Sequence, residues 1–570
     1  MKRWTGLLTM VVAAIGLAVL GTTPPEPVAA SAPAGEFAAA RAMADVQHIA
    51  AKPHATGTAE NAEVRAYLVQ RLKAMGLELR EVEAPLPERS IERMKGWSRG
   101  THAPTRMVNV IGVLPGKNRS LPTLALMAHH DTVWGSPGAA DDTAGVATIL
   151  EAVRAIKARG QPSRDLAVVI TDAEELGLSG AEAFFASDPL AKRIGMIVNM
   201  EARGGGGRTT LFETSPGNGE AVKLYADAVS KPGASSLAAF IYSVLPNDTD
   251  LSVSLRSELP GYNFAFIGRS GLYHSPLATP ERLDQGALQD MGAQVLALTD
   301  RLVRANDLPA RTADVVFFDF FSLFMVVYPA WLGWVMLGAI GIGLGLAIRG
   351  CRGKQVAEGA ARMLLLLVGT GLALFLLNLL SGAGKGANYY DRLAAIPKLE
   401  VMAAATCIGF FLLLFRIEQL KARQIGAFLP LLALGVAAQA LAPVAAYVVL
   451  IPLLLVAVSL NLKSITGFWF AGLTAALVLG HELYLGHFVM QGVGPTMPFA
   501  VVLPLALASL AVMPVWPGLN KSIGRRAAFA ALTVALLVAL WVRFDPLADT
   551  VAVYSSDKNV PAIPITKPPA

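Results

Sequence analysis

The sequence predicts an α/β domain with a mostly parallel sheet flanked by helices, followed by an all-α polytopic membrane domain. Three observations point there. Short apolar runs alternate with helical patterns between residues 36 and 312, and most charged side chains fall in that same stretch. Residues 315 to 543 are instead long apolar runs broken by short polar loops. At 54% hydrophobic and 16% charged over 570 residues, the chain is too apolar to be soluble throughout, and the uneven spread shows where the excess lies.

The chain opens with MKRWTGLLTMVVAAIGLAVLG, in which Lys2 and Arg3 precede an apolar stretch from Trp4 to Gly21. Residues 1–21 read as an uncleaved signal anchor, with a signal peptide cleaved near VAASA as the alternative; either sends the next domain across the membrane. A Pro/Ala-rich linker, 22–35, precedes a domain expected over 36–312, long enough to bury a substantial core. Ala59 to Gly76 has helical periodicity and ends on a glycine placed for a C-cap. Strand-like runs begin at Met107, Thr123, Leu166, Met196 and Tyr262, and Gly145 to Gly160 is a helical pattern between two of them. In alternating folds of this kind the active site lies beyond the carboxyl ends of parallel strands, which is where the polar clusters fall.

The membrane domain, 313–544, holds eight expected spans centred near 337, 371, 407, 433, 451, 474, 505 and 534, each of about 18 to 23 residues. With the N-terminus inside, the inner loops contain Arg349–Lys354, Arg416–Arg423, Lys463 and Lys521–Arg526, which are the basic ones. The positive-inside rule thus supports nine spans with the anchor retained, and a short extracytoplasmic tail at 545–570. The expected location is a bacterial inner membrane with the sheet domain in the periplasm, or the lumenal side of a eukaryotic membrane. His481, Glu482 and His487 lie near the outer end of one span without the H-E-x-x-H spacing, and read as solvated groups at the interface. Asn378, Asn461 and Gln439 are too scattered to outline a transport path.

The net charge of +6 is accounted for by loop Lys and Arg. No basic cluster with interleaved aromatics marks a nucleic-acid face. The two cysteines, Cys351 and Cys407, form no pairable framework and lie outside the α/β region, so no disulfide, thiolate ligand or cysteine nucleophile is expected there. There is no G-x-S-x-G elbow, and the glycine run at 204–207 lacks the Lys-Ser/Thr of a phosphate cradle.

What remains is a set of carboxylates and histidine at strand ends. AHHDTVWGSPGAADDTAGVA, Ala128 to Ala147, and TDAEELG, Thr171 to Gly177, suit a zinc site that activates water. His129 can bind a metal while Asp131 orients it, although a polar surface turn would look alike. One of Asp141 and Asp142 can bridge two cations while the other caps the helix that follows. Of Glu174 and Glu175, one can bind metal while its neighbour holds a water as general base.

Those segments, together with NMEARG at Asn199 and YHSPLATPERLD at Tyr273, resemble in order and spacing family twenty-eight of the metallopeptidases, the co-catalytic zinc exopeptidases. The likeness covers roughly residues 40 to 305. PHATGTAENAEVRAYL, Pro53 to Leu68, and LFETSPGN, Leu211 to Asn218, are similar to the membrane-embedded subgroup of endoplasmic-reticulum metallopeptidases and vacuolar membrane proteases. The resemblance implies two Zn2+ ions, with His129 and Glu201 on one, Glu175 and His274 on the other, and Asp141 bridging. It implies Asp131 as the orienter of His129 and Glu174 as general base. Glu201 stands where many relatives have aspartate, His130 is a wall residue rather than a ligand, and Arg203 and Tyr273 are candidates for contacting substrate.

The implied reaction is hydrolysis of a terminal peptide bond, by an aminopeptidase acting on peptides. Zinc would bring the pKa of water towards about 7, Glu174 would carry the proton, and a metal would polarise the carbonyl. A carboxypeptidase or cyclase on the same fold is the enzymatic alternative. A transporter or receptor that only binds peptides is the other. The expected partners are peptide substrates and the lipid bilayer, with no nucleic acid.

Overall fold

The computed structural model describes residues 2–545 apart from 385, 386, 388, 418 and 463. The expected tail beyond Asp545, and the loop residue Lys463, lie outside the described residues. The chain divides into two compact units. One runs from Thr23 to Val327; the other joins residues 2–22 to 328–545.

Helix α1 (Lys2–Thr22) belongs to the second unit. The first unit then builds in order α2 (Ala39–Ile49), α3 (Ala59–Ala74), β1 (Glu78–Pro85), α4 (Glu88–Trp97), β2 (Arg106–Leu114), β3 (Thr123–His129), α5 (Thr143–Ala158), β4 (Leu166–Thr171) and α6 (Ser179–Ser187). It continues with β5 (Ile194–Ala202), β6 (Gly206–Thr214), α7 (Gly219–Ala228), α8 (Ser236–Val244), α9 (Asp250–Arg256), β7 (Gly261–Gly268), α10 (Gln285–Arg304) and β8 (Val315–Asp319), and β9 (Met325–Pro329) spans the division between the units. Thr58 caps α3 through Asn61 N–H, and Gly76 takes φ +77° just past its end, a conformation that costs a glycine little.

Seven strands form one mixed sheet in the order β1-β2-β4-β3-β5-β7-β6. The parallel pairing expected from the alternation is confined to the centre, β4-β3-β5-β7, while β1-β2, β2-β4 and β6-β7 are antiparallel. The physical reason is cover. Central strands are buried on both faces and read as continuous apolar runs, whereas edge strand β1, ELREVEAP, is charged and partly exposed and gave no apolar signal.

Alternate residues of the central strands feed two cores. Leu124, Leu126, Val168, Ile170, Val198, Phe264 and Phe266 meet α2, α5 and α10 on one face. Ala125, Met127, Val169 and Ile197 meet α6 and α9 on the other. Burying a Leu, Ile or Phe here stabilises the fold by roughly 1.5–3 kcal/mol each. Gly180 lets α6 sit against the end of β4, because a Cβ there would lie 2.2 Å from the Asp172 carbonyl oxygen. The Pro/Ala-rich segment lies on this unit: Arg154 donates to Ala34 O, Arg159 to Gly35 O, and the Gln289 side chain accepts from Val28 N–H. Strand β8 is bonded in as well, through Asp319 N–H to Ala234 O and Phe317 N–H to Ser236 Oγ, which carries the compact unit past residue 312.

The second unit contains α11 (Leu332–Ala347), α12 (Gly353–Leu380), α13 (Tyr389–Ala394), α14 (Ile396–Phe415), α15 (Lys421–Leu441), α16 (Tyr447–Ser459), α17 (Ser464–Val493), α18 (Val502–Val512) and α19 (Lys521–Phe544). Every expected span centre falls on or beside a helix. Among the described residues six helices, including α1, are long and apolar enough to cross a membrane. The equal lengths expected do not hold: α11, α16 and α18 have 16, 13 and 11 residues. Proline explains two of these, since α16 starts after Pro443, and α18 lies between a turn opened by Pro498 and Pro514. Helix α1 lies along α17, with Met10 against Gly472 and Ala14 against Gly480, small residues that permit close approach.

Glu482 corrects the solvated reading of its neighbourhood. The 30-residue α17 carries it inside the bundle, where it is 3% exposed beside His481, while His487 pairs with Glu400 at 2.8 Å. Asn461 and Gln439 each donate to a carbonyl of α11 or the turn before it, tying helices together rather than lining a path.

Candidate metal centre

Because β4, β3, β5 and β7 are parallel, their carboxyl ends share one edge of the sheet, and each delivers polar side chains to it. His129 is the last residue of β3. Glu174 and Glu175 follow β4 after Ala173, whose φ of 60° turns the chain sharply. Glu201 lies near the end of β5, and His274 follows β7 with φ 53°, a left-handed conformation that non-glycine residues rarely adopt. Asp141 precedes α5.

The carboxylate of Asp141 stands between the two imidazoles. Its Oδ1 is 3.2 Å from His129 Nε2 and its Oδ2 is 3.1 Å from His274 Nε2. Glu201 Oε2 lies 3.8 Å from His129 Nε2, and Glu175 Oε1 lies 3.1 Å from His274 Nε2. Two groups of three possible ligands therefore share Asp141: His129, Asp141 and Glu201, and Asp141, Glu175 and His274. Glu174 reaches within 3.9 Å of His129 Nε2 and belongs geometrically to a third group with His129 and Glu175.

Asp142 points the other way. Its carboxylate accepts from Gly145 N–H at 3.1 Å as the N-cap of α5, and from His129 N–H at 3.2 Å. The Nδ1 of His129 is 2.9 Å from the backbone oxygen of Asp131 and 3.5 Å from its carboxylate, so the nearer restraint on the ring is the carbonyl. The Asp131 carboxylate accepts mainly from Glu174 N–H at 3.0 Å and Glu175 N–H at 3.3 Å. Asp131 thus fastens the two-glutamate turn to the histidine strand. His130 bonds to Asn61 and Val108 O, as a wall residue does. Tyr273 stacks its ring on His274 at 3.7 Å, and Arg203 is half-buried just beyond Glu201, with its N–H on Phe266 O.

Burial pushes the carboxyls of Glu174, Glu175 and Glu201 above the usual range, with neighbouring carboxylates adding and histidine charge opposing. Burial alone would depress the histidines, but the carboxylates outweigh it: His129 rises well above its ordinary value and His274 to about 10. Asp141 is held below the usual carboxylate range against burial by hydrogen bonds to both imidazoles. Buried carboxylates gathered round two imidazoles call for cations. The donors are carboxylate oxygen and imidazole nitrogen, which suits zinc. The residues fit zinc.

Residues 109–299 match peptidase family M28. This stretch is an M28 peptidase domain. Relatives of this chain include endoplasmic reticulum metallopeptidase 1 of Mus musculus, 29% identical over 52% of this chain and 35% of that protein. The vacuolar membrane protease of Eremothecium gossypii is 31% identical over 51% of this chain and 30% of that one. The match therefore spans about a third of the length of these relatives. A solved aminopeptidase from Aneurinibacillus sp. strain AM-1 is similar at 14% identity, over 49% of this chain and 98% of that chain, with a TM-score of 0.39.

A surrounding polar layer of the M28 domain escaped sequence reasoning. Asp172 accepts from Val108 N–H and Thr56 Oγ1, Thr171 Oγ1 donates to Asp250, and Asn199 donates to Asn263. The signal was available in part: Asn199 and Asn263 are the polar interruptions in the apolar runs MIVNM and YNFAFI.

Proposed function

We propose that this chain is a membrane-anchored di-zinc exopeptidase, an aminopeptidase that hydrolyses terminal peptide bonds outside the cytoplasm. The observation that supports it best is Asp141, whose two oxygens face His129 and His274 separately. His129 and Glu201 would hold one ion, Glu175 and His274 the other, and Asp141 both. Zinc so held supplies a water made acidic enough to lose its proton near neutral pH and a Lewis acid for the scissile carbonyl.

The protein's own groups do the rest. Glu174 receives the proton of the attacking water on its carboxylate and delivers it to the leaving amine nitrogen. Asp131 keeps Glu174 in place by accepting its backbone N–H, so the base is positioned independently of its own side-chain contacts. The His129 and His274 rings keep their orientation through the Asp131 carbonyl and the Tyr273 ring. Tyr273 and Arg203 contact the bound peptide. Helix α1 is retained as the ninth membrane span, a reading supported by its packing on α17.

Metal analysis of the purified full-length protein, with dipeptides blocked at one end or the other, tests this. Chelator-sensitive cleavage that requires a free amino terminus is expected. A requirement for a free carboxyl terminus would make it a carboxypeptidase, and a sample without zinc or cleavage would end the proposal.

A further inference from the structure

Glu213, on β6, belongs to the sheet face that carries Glu201. In register, Asn199 of β5 pairs with Asn263 of β7, and Asn263 pairs with Glu213 of β6. Side chains link the row. Asn199 Nδ2 donates to Asn263 Oδ1 at 2.9 Å, and Asn263 Nδ2 donates to Glu213 Oε2 at 2.8 Å and to Thr249 Oγ1 at 2.8 Å. Glu201 stands two residues beyond Asn199 on that face. The buried Tyr242 hydroxyl is close enough to feel the charge of both Glu213 and Glu201, and its ring packs edge-on against Phe212. Glu213 therefore shares the face of Glu201, two amides removed from it.

Its surroundings lack a counter-charge. Glu213 is mostly buried, and among the described residues no Lys or Arg forms an ion pair with it; Asn263 is its hydrogen-bond partner, on one oxygen only. A carboxylate put out of water without a cation is costly unless something supplies one. Burial raises its pKa to about 7, with Asn263 pulling the other way and the like charge of Asp248 adding to the rise.

Distance decides which substrate group that partner is. β6 lies two strands from β5, roughly 10 Å across the sheet. The scissile carbonyl and α-amine of a substrate belong beside the metal ligands, so a carboxylate that far away meets the end of the terminal residue's side chain. We propose that Glu213 is a specificity-determining residue whose carboxylate receives the ammonium or guanidinium of a basic terminal side chain. This rests on the exopeptidase reading.

Glu213→Gln is the test, since a glutamine oxygen can still accept from Asn263 and the fold is kept. In the full-length, zinc-loaded protein, the ratio of kcat/KM for lysyl over norleucyl dipeptides should fall about ten- to hundredfold in E213Q, as expected for loss of one charge-assisted hydrogen bond. An unchanged ratio overturns the proposal, and an equal fall for both substrates shows a contact with the α-amine, which overturns it too. Calorimetric binding of lysinamide and norleucinamide gives a readout that needs no turnover. If nothing is cleaved yet wild type prefers lysinamide and E213Q does not, the side-chain site stands while the peptidase reading fails. Equal binding of both amides by wild type overturns the site itself.

Discussion

Glu174→Gln separates the proposed general base from the proposed metal ligands, which geometry alone leaves entangled because Glu174 also belongs to a possible ligand group with His129 and Glu175. The amide cannot take a proton but keeps the shape, and the backbone stays pinned by the 3.0 Å bond from Glu174 N–H to Asp131. General-base catalysis is worth about 10²–10⁴-fold, or about 3–5 kcal/mol of barrier. The Glu174 side chain is only 13% exposed, so bulk water is a poor substitute and the loss should fall in the upper half of that range. The assay is kcat/KM on an unblocked dipeptide beside zinc content by mass spectrometry. Zinc retained with turnover lost about a thousandfold is the expected result. Full activity would remove Glu174 from the mechanism, and zinc lost in parallel would make it a ligand.

Asp131→Asn leaves one acceptor oxygen for two glutamate N–H groups, so the turn loosens and zinc affinity should fall about ten- to hundredfold in a chelator competition. Asp142→Ala removes the N-cap of α5 and an acceptor for His129 N–H; it should cost about 1–2 kcal/mol in thermal unfolding of the full chain while zinc content stays normal. The lysyl-over-norleucyl ratio should rise between about pH 6 and 8, because Glu213, with its pKa raised to about 7, is protonated below that range and charged above it. Taking the ratio cancels the titration of the metal centre, and a flat profile would show that Glu213 is not the group read.

The parts of this site legible in the sequence were those that follow an apolar strand. His129, Glu174 and Glu175 each come just after or at the end of a run that could be found by its hydrophobicity, whereas Glu201 and His274 were picked out only through the family resemblance; the parallel centre of the sheet puts the strand ends on one edge. Strand β6 was hidden because its glycines and charged residues give no period, and Glu213 was hidden with it. Which of Asp141 and Asp142 caps and which faces the histidines depends on backbone direction, which adjacent identical residues do not encode. Helix lengths in the second unit failed where proline cuts an apolar run that hydropathy treats as continuous.

The candidate donors of the metal centre follow β3, β4, β5 and β7, apart from Asp141 before α5, and His274 is the last of the five in the chain. During synthesis, an emerging polypeptide thus carries four of the five candidate donors but lacks His274 until the segment after β7 has been made. Any ion bound earlier would be held by fewer donors and would exchange more freely. Tight loading becomes a late event that certifies a finished sheet, and a chain cut short before His274 should never pass it.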